Sequence, residues 1–190
     1  MIVLASTSKY RAELLSRLGL TFASAAPTCD EALLAAETAS ARCARLAEAK
    51  ANSLVKLHAQ HVIIGSDQVA SCNGRILRKP GSVANAIAQL TSMSEQAVQF
   101  HTGLCVIDSR SGRSINHVDL TTAHLRRLSS QEIERYVEQD KPLDCAGSFK
   151  VESLGIALFE RIDSTDPSAL IGLPLMALSR ALRQFGLNLP

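Results

Sequence analysis

Tryptophan is absent from this 190-residue chain, and aromatic residues make up only 4% of it. The core must therefore be assembled from Leu, Ile, Val and Ala. A dominant charge is missing too: 20 Lys and Arg against 18 Asp and Glu leave a formal net charge of +2. That excludes a nucleic-acid footprint spread over a surface, so any basic residues that matter do so as a local cluster. No apolar run approaches a membrane span, and Met1-Ile2-Val3-Leu4-Ala5 is a strand's length of apolar residues rather than a leader. The five cysteines (Cys29, Cys43, Cys72, Cys105, Cys145) contain no C-x-x-C pair, which argues against zinc and against a thioredoxin-like motif. An odd set of scattered thiols fits a reducing compartment, and a cytoplasmic protein with no membrane partner is expected. Walker A glycines, G-x-S-x-G and H-E-x-x-H are all missing.

What is present is an α/β alternation. Hydrophobic content of 46% with 20% charged residues is that of an ordinary globular chain, long enough for one domain or two small lobes. Strands are expected at Ile2–Ala5, Phe22–Ala25, Val62–Val69, Val98–Asp108, His117–Leu128 and Leu154–Ile162. Helices are expected over Tyr10–Leu18, 38–57, about 83–93, Ser130–Val137 and Pro174–Phe185. Gly19 stops the first helix, Asn73-Gly74 marks a hairpin, and Ser129 with Glu132 fits a capping box. Parallel-type crossovers beside an antiparallel pair joined through Ser109–Arg113 imply a mixed sheet with helices around it.

Three features carry chemistry. In the first, a strand runs into the hydroxyl-rich turn Ser6-Thr7-Ser8 and then a helix with Lys9 and Arg11. Free N–H groups and the helix dipole at such a point favour an anion, although a plain Ser N-cap explains the same residues. The second is Asp67 in Gly65-Ser66-Asp67-Gln68, at the end of an apolar strand. A carboxylate there either accepts turn N–H bonds or serves a ligand. The third is scattered: Asp30-Glu31, Lys50 on the long helix, and Lys79-Pro80. Each alone reads as a solvated charge. His58 and His61 have ligand-like spacing but no third ligand near in sequence, and Cys145 reads as structural.

Taken in order, these segments resemble the Maf family of nucleotide pyrophosphatases. The resemblance runs nearly end to end. It covers Leu4-Ala5-Ser6-Thr7-Ser8 with Arg11, Asp30-Glu31, Arg45-Leu46-Ala47 with Lys50, Gly65-Ser66-Asp67, Lys79-Pro80, Thr102-Gly103, Pro142-Leu143 with Ala146-Gly147, and Gly172-Leu173-Pro174-Leu175. It implies a Maf/inosine triphosphate pyrophosphatase-like fold over residues 1–190: an elongated mixed β-sheet flanked by helices, in two lobes with a deep cleft. It also implies cleavage of a nucleoside triphosphate to a monophosphate and pyrophosphate, helped by Mg²⁺, Mn²⁺ or Co²⁺. Asp67 is then the general base, and Glu31 binds metal, with Asp67, or assists proton transfer. Ser6, Ser8, Arg11, Lys50 and Lys79 hold the triphosphate, and a homodimer is implied.

Within the family the chain is most similar to the YceF-type branch, which acts on 7-methyl-GTP. Tyr10, Gln68 and Glu152 stand where the dTTP/UTP branch typically has Arg, Thr and Gln. Tyr10 offers a stacking face for a cationic base, Glu152 a carboxylate, and Gln68 a donor and an acceptor for a base edge. Two positions depart from the pattern: Tyr10 is often Trp in this branch, and Arg78 replaces the usual Gly before Lys79-Pro80. The readings that compete with this one are a dTTP/UTP pyrophosphatase and a nucleotide-binding regulator of cell division.

Overall fold

The computed structural model describes residues 1–189. Seven strands form one mixed sheet in the order β2-β1-β3-β5-β6-β7, with β4 paired to β3. They are β1 (Ile2–Ala5), β2 (Phe22–Ala25), β3 (Val62–Cys72), β4 (Arg75–Leu77), β5 (Ala97–Asp108), β6 (Arg113–Leu125) and β7 (Phe159–Asp163). The helices are α1 (Lys9–Ser16), α2 (Ala39–Val55), α3 (Val83–Met93), α4 (Ser130–Asp140) and α5 (Leu175–Gln184). Residues group into two compact units.

The first unit holds Met1–Gln68, His101–Asp119 and the chain from Asp166 onward. In it β1 lies parallel to both neighbours, with Ile2 opposite Phe22 and Val62, and Ala5 opposite Ala25 and Gly65. Alternate residues of a strand face opposite ways. Ile2, Leu4, Val62, Ile64, Leu104 and Val106 therefore pack against Leu14 and Leu15 of α1 and the apolar side of α5. Val3, Ala5, Ile63, Cys105 and Ile107 face Ala47, Ala51 and Leu54 of α2. Small residues on α2 let it lie close to the sheet, and two glycines answer it from below. A Cβ built on Gly65 would stand 2.2 Å from the Ala47 carbonyl oxygen, and one on Gly103 would stand 2.3 Å from that of Cys43.

The second unit holds Val69–Phe100 and Leu120–Thr165. Its β3–β4 hairpin pairs Ala70 with Leu77 and Cys72 with Arg75, and turns through Asn73 and Gly74 at φ 50° and 75°. Both left-handed residues suit a tight hairpin, as the Asn-Gly pair predicts. Here α3 packs on α4, and Phe149 meets Phe100 and Phe159 edge to face, with ring centroids 5.3 and 4.7 Å apart.

Several expected bounds move. β3 runs on to Cys72, so Asp67 is in mid-strand rather than at a strand end. β6 starts at Arg113 and stops at Leu125. The strand expected over Leu154–Ile162 is half 3₁₀ helix: Leu154–Leu158 coils, and only Phe159–Asp163 is extended. The cause is close approach, because a Cβ on Gly155 would lie 2.3 Å from the Lys150 carbonyl oxygen. No described helix is long and apolar enough to cross a membrane.

Candidate active site

The turn after β1 is shaped by its own hydroxyls. Ser6 Oγ accepts from Ser8 N at 3.1 Å, and Ser8 Oγ accepts from Arg11 N at 3.5 Å as the N-cap of α1. The plain capping reading of Ser8 is thus correct as far as it goes. A hydroxyl oxygen that accepts still keeps its own hydrogen to donate, so both serines retain a donor. Ser6 is buried at 5% exposure, whereas Thr7 is exposed. Arg11 donates from Nε to the Gly172 carbonyl oxygen at 2.9 Å, which fixes the plane of its guanidinium. Burial pulls its pKa down, and the charges of Asp67 and Glu31 oppose that.

The centre of the site is an ammonium shared by two carboxylates. Lys50 Nζ lies 2.6 Å from Asp67 Oδ1 and 2.9 Å from Glu31 Oε1. Lys50 and Asp67 are only 7% and 8% exposed, while the Glu31 side chain is 57% exposed. Asp67 is therefore held by a helix cation and not by turn N–H groups. That meeting depends on Gly65, two residues earlier on the same strand face, which lets the α2 backbone come down onto β3. The hydrogen bond from Lys50 holds the Glu31 carboxyl below its ordinary pKa, against the opposing effect of burial. Cys29 lies in the same field. Burial raises its thiol pKa, opposed by Lys50 and reinforced by the nearby carboxylates.

On the opposite face of β3, Ser66 and Gln68 hold the segment that precedes α5. Ser66 Oγ shares its hydrogen between the carbonyl oxygens of Gly103 (2.8 Å) and Gly172 (2.9 Å). Gln68 Nε2 donates to the carbonyl oxygens of Ala169 (2.9 Å) and Leu170 (3.0 Å) and reaches Thr102 Oγ1 at 3.1 Å. Two carbonyl partners require the amide nitrogen at that point. The expectation that Gln68 offers a base edge both a donor and an acceptor is narrowed accordingly: its nitrogen is engaged, which leaves Oε1 as the acceptor. Tyr10 is half-buried, with the Lys9 ammonium 5.0 Å from its ring centroid.

Ser6, Ser8, Tyr10, Arg11, Glu31, Lys50, Asp67 and Gln68 all belong to the first unit. Lys79 and Glu152 belong to the second, and both are exposed. The Lys79 loop is fastened by Gly81 N to the Leu143 carbonyl oxygen (3.1 Å) and by Asn85 Nδ2 to that of Pro80 (2.9 Å). The Glu152 turn is fastened by Lys150 Nζ to the Asp140 carbonyl oxygen (2.6 Å) and by Ser153 Oγ to the Asp140 carboxylate (2.7 Å).

Sequence reasoning assigned no role to Ser66, Thr102, Arg42, Glu37 or Asp166. Most of these act on backbone carbonyls, which leave no side-chain pattern to read. Only Asp166-Pro167-Ser168, an Asx-type sequence shortly before Pro174, carried a usable signal.

Comparison with known proteins identifies the family. A family model described as "Maf-like protein" matches residues 1–185. A protein of Hahella chejuensis named 7-methyl-GTP pyrophosphatase is 50% identical over 190 residues, covering 100% of this chain and 96% of its own. One of the same name from Vibrio vulnificus is 46% identical over 187 residues, covering 98% and 96%. Among solved structures, a HAM1 protein from Coxiella burnetii superposes with a TM-score of 0.50 over 97% of this chain and 98% of that one. At 14% identity that likeness speaks to the fold alone. On the family match and the full-length identity of these relatives, the chain belongs to the Maf family.

Proposed function

We propose that this chain is a nucleoside triphosphate pyrophosphatase that hydrolyses 7-methyl-GTP to 7-methyl-GMP and pyrophosphate. The observation that carries the chemistry is the buried Lys50 bridge, which aims the Asp67 carboxylate while leaving its second oxygen outside that bond. That oxygen takes a proton from water as the water oxygen bonds to the α-phosphorus. The bond from the α-phosphorus to the bridging oxygen breaks, and its electron pair leaves with pyrophosphate. Ser6 and Ser8 donate their hydroxyl hydrogens to phosphate oxygens, and Arg11 and Lys50 offset the charge that gathers on the leaving group. The names borne by the full-length relatives support the substrate.

Tyr10 supplies a π face for the cationic methylated base, and Gln68 Oε1 an acceptor for its ring N–H. The donor set also fits a divalent cation. Glu31 has one oxygen on Lys50 and one outside that contact, and no described cluster of three or more His, Cys, Asp or Glu forms a complete protein cage. Mg²⁺ is characteristically held by one or two carboxylates plus substrate phosphates, and Mn²⁺ and Co²⁺ accept similar ligands. When bound, such an ion neutralises phosphate charge and polarises the phosphoryl group.

A panel of 7-methyl-GTP, GTP, dTTP and UTP with each metal, read by pyrophosphate release, tests the proposal. The highest kcat/KM should fall on 7-methyl-GTP. A higher value on dTTP would assign the chain to the pyrimidine reading. Tight binding by calorimetry without pyrophosphate release would make it a nucleotide-binding regulator.

A further inference from the structure

The segment of residues 26–38 carries Glu31 but has no regular structure. Its apolar residues do little to anchor it, since Leu33 and Leu34 are 55% and 52% exposed. Yet the Glu31 carboxylate is aimed well enough to meet Lys50 at 2.9 Å. What orders it comes from α2. Arg42 Nη2 donates to the Glu31 carbonyl oxygen at 2.6 Å, and its Nη1 donates to that of Ala32 at 3.2 Å. Arg45 Nη2 reaches the same Ala32 oxygen at 3.1 Å. The Arg45 fork also grips Glu37 with both arms, Nε to Oε1 at 2.6 Å and Nη2 to Oε2 at 2.8 Å. The Glu37 side chain is only 7% exposed, and its Oε2 also accepts from Leu34 N at 3.5 Å.

Resting on the role assigned to Glu31 above, we propose that Arg45 and Arg42 are positioning residues: with Glu37 they clamp the Glu31–Ala32 backbone and hold the Glu31 carboxylate on Lys50 beside Asp67. Two carbonyl oxygens and one carboxylate are bonded from one side of one helix. Only guanidinium groups offer donors enough, in a fixed fork, to bond a carbonyl and a carboxylate together; a lysine ammonium does not match that geometry. The same helix thus carries both the cation that Glu31 touches and the two that hold its backbone. Tight seating of α2 on Gly65 and Gly103 sets all three in one frame.

A double-mutant cycle tests this. Arg45→Lys and Glu37→Gln are each made in the wild-type chain and in Glu31→Gln, and turnover of 7-methyl-GTP is compared. Misplacing a reacting group by about an ångström costs about a hundredfold, so kcat in the wild-type background should fall by about 10–100-fold, with KM moving far less. In the Glu31→Gln background the same changes should cost less than about twofold, because coupled residues are non-additive. Both substitutions nearly preserve side-chain length, so the cycle is readable even where Arg45→Ala does not fold. Equal losses in the two backgrounds, or a loss carried by KM alone, would overturn the clamp while leaving the proposed function standing. A fully active Glu31→Gln would overturn the role of Glu31 and the clamp with it while leaving the proposed function standing, whereas a wild-type chain that releases no pyrophosphate would overturn the proposed function itself.

Discussion

The Lys50 ammonium donates to Asp67 Oδ1 across 2.6 Å, with 9% and 11% of the two side chains exposed. One comes from the middle of α2 and the other from the middle of β3, so the contact exists only in the folded chain. Removing one member of such a buried pair strands the other, at a cost of about 3–5 kcal/mol. Lys50→Met should therefore destabilise the chain by about that amount in urea titration, and the double variant with Asp67→Asn should recover most of it. Asp67→Asn alone should lower turnover by about two to four orders of magnitude, the span for a lost general base. If Lys50→Met matches the wild-type midpoint, the pair is not the buried couple described.

Gly65→Ala separates crowding from backbone strain. The added Cβ would meet the Ala47 carbonyl oxygen at 2.2 Å and Ala51 N at 2.8 Å, both backbone atoms with little room to give. Overpacking of this kind costs about 1–3 kcal/mol or more. It should also push α2 outward, lengthen the Lys50–Asp67 contact and reduce turnover. Gly112→Ala is the control: φ is +72° and nothing lies within 4 Å of its Cβ. Its loss of about 1–2 kcal/mol should come from the left-handed backbone alone and leave turnover intact. Matched thermal unfolding and turnover assays on both variants distinguish the two effects.

Much of this frame was legible before the structure. The strands at Ile2–Ala5 and Phe22–Ala25, the helix over Val83–Met93 and the capping box at Ser129 fall where local patterns put them. Their signals are short-range: apolar runs, a Ser cap, an Asn-Gly turn. Leu154–Leu158 misled because Leu-Gly-Ile-Ala-Leu reads as extended, whereas the close approach of Gly155 to the Lys150 backbone makes it coil. Asp67 looked like a strand terminus because a carboxylate seldom sits in mid-sheet. It does so here because Lys50, 17 positions earlier in the chain, meets it. The carbonyl oxygens of Ala169, Leu170 and Gly172 were invisible for a plainer reason: every residue has one.

The capping box of α4 supplies a pH test. Glu132 accepts from Ser129 N at 2.8 Å and Ser129 Oγ at 2.7 Å, and Arg126 Nη1 lies 2.8 Å away. These bonds, led by the backbone one, bring the Glu132 pKa from 4.5 down to about 2. A depressed carboxyl stabilises the fold above its unfolded pKa, and that contribution is lost as pH falls through the folded one. Glu132→Gln should thus lower the unfolding midpoint at pH 7. The gap from wild type should narrow between about pH 4.5 and pH 2, the window set by those two values. A gap that stays constant across that window would mean the carboxylate charge plays no part in the cap.

Asp166 braces the segment before α5 through backbone N–H groups and the Ser168 hydroxyl. It is 4% exposed; Oδ1 accepts from Ser168 N at 3.1 Å and from the Ser168 hydroxyl, and Oδ2 accepts from Met176 N at 2.7 Å. Ser168 Oγ in turn accepts from Leu175 N at 2.8 Å. The first turn of α5, whose cap residue Pro174 provides no side-chain cap, is satisfied from this earlier segment. Between brace and helix run the carbonyl groups that aim Gln68 and Arg11. Asp166→Ala would leave the N–H groups of Ser168 and Met176 without their acceptor, at about 0.5–1.5 kcal/mol apiece. Asp166→Asn keeps one acceptor and should cost less. A mere helix cap would affect stability only. A brace predicts more: with the Gly172 carbonyl displaced, the Arg11 guanidinium loses its fixed plane, and KM for the nucleotide should rise several-fold in Asp166→Asn at temperatures where the chain is fully folded. Steady-state kinetics with a parallel melting curve decides between them, because an unchanged KM beside a lowered midpoint would reduce Asp166 to a cap.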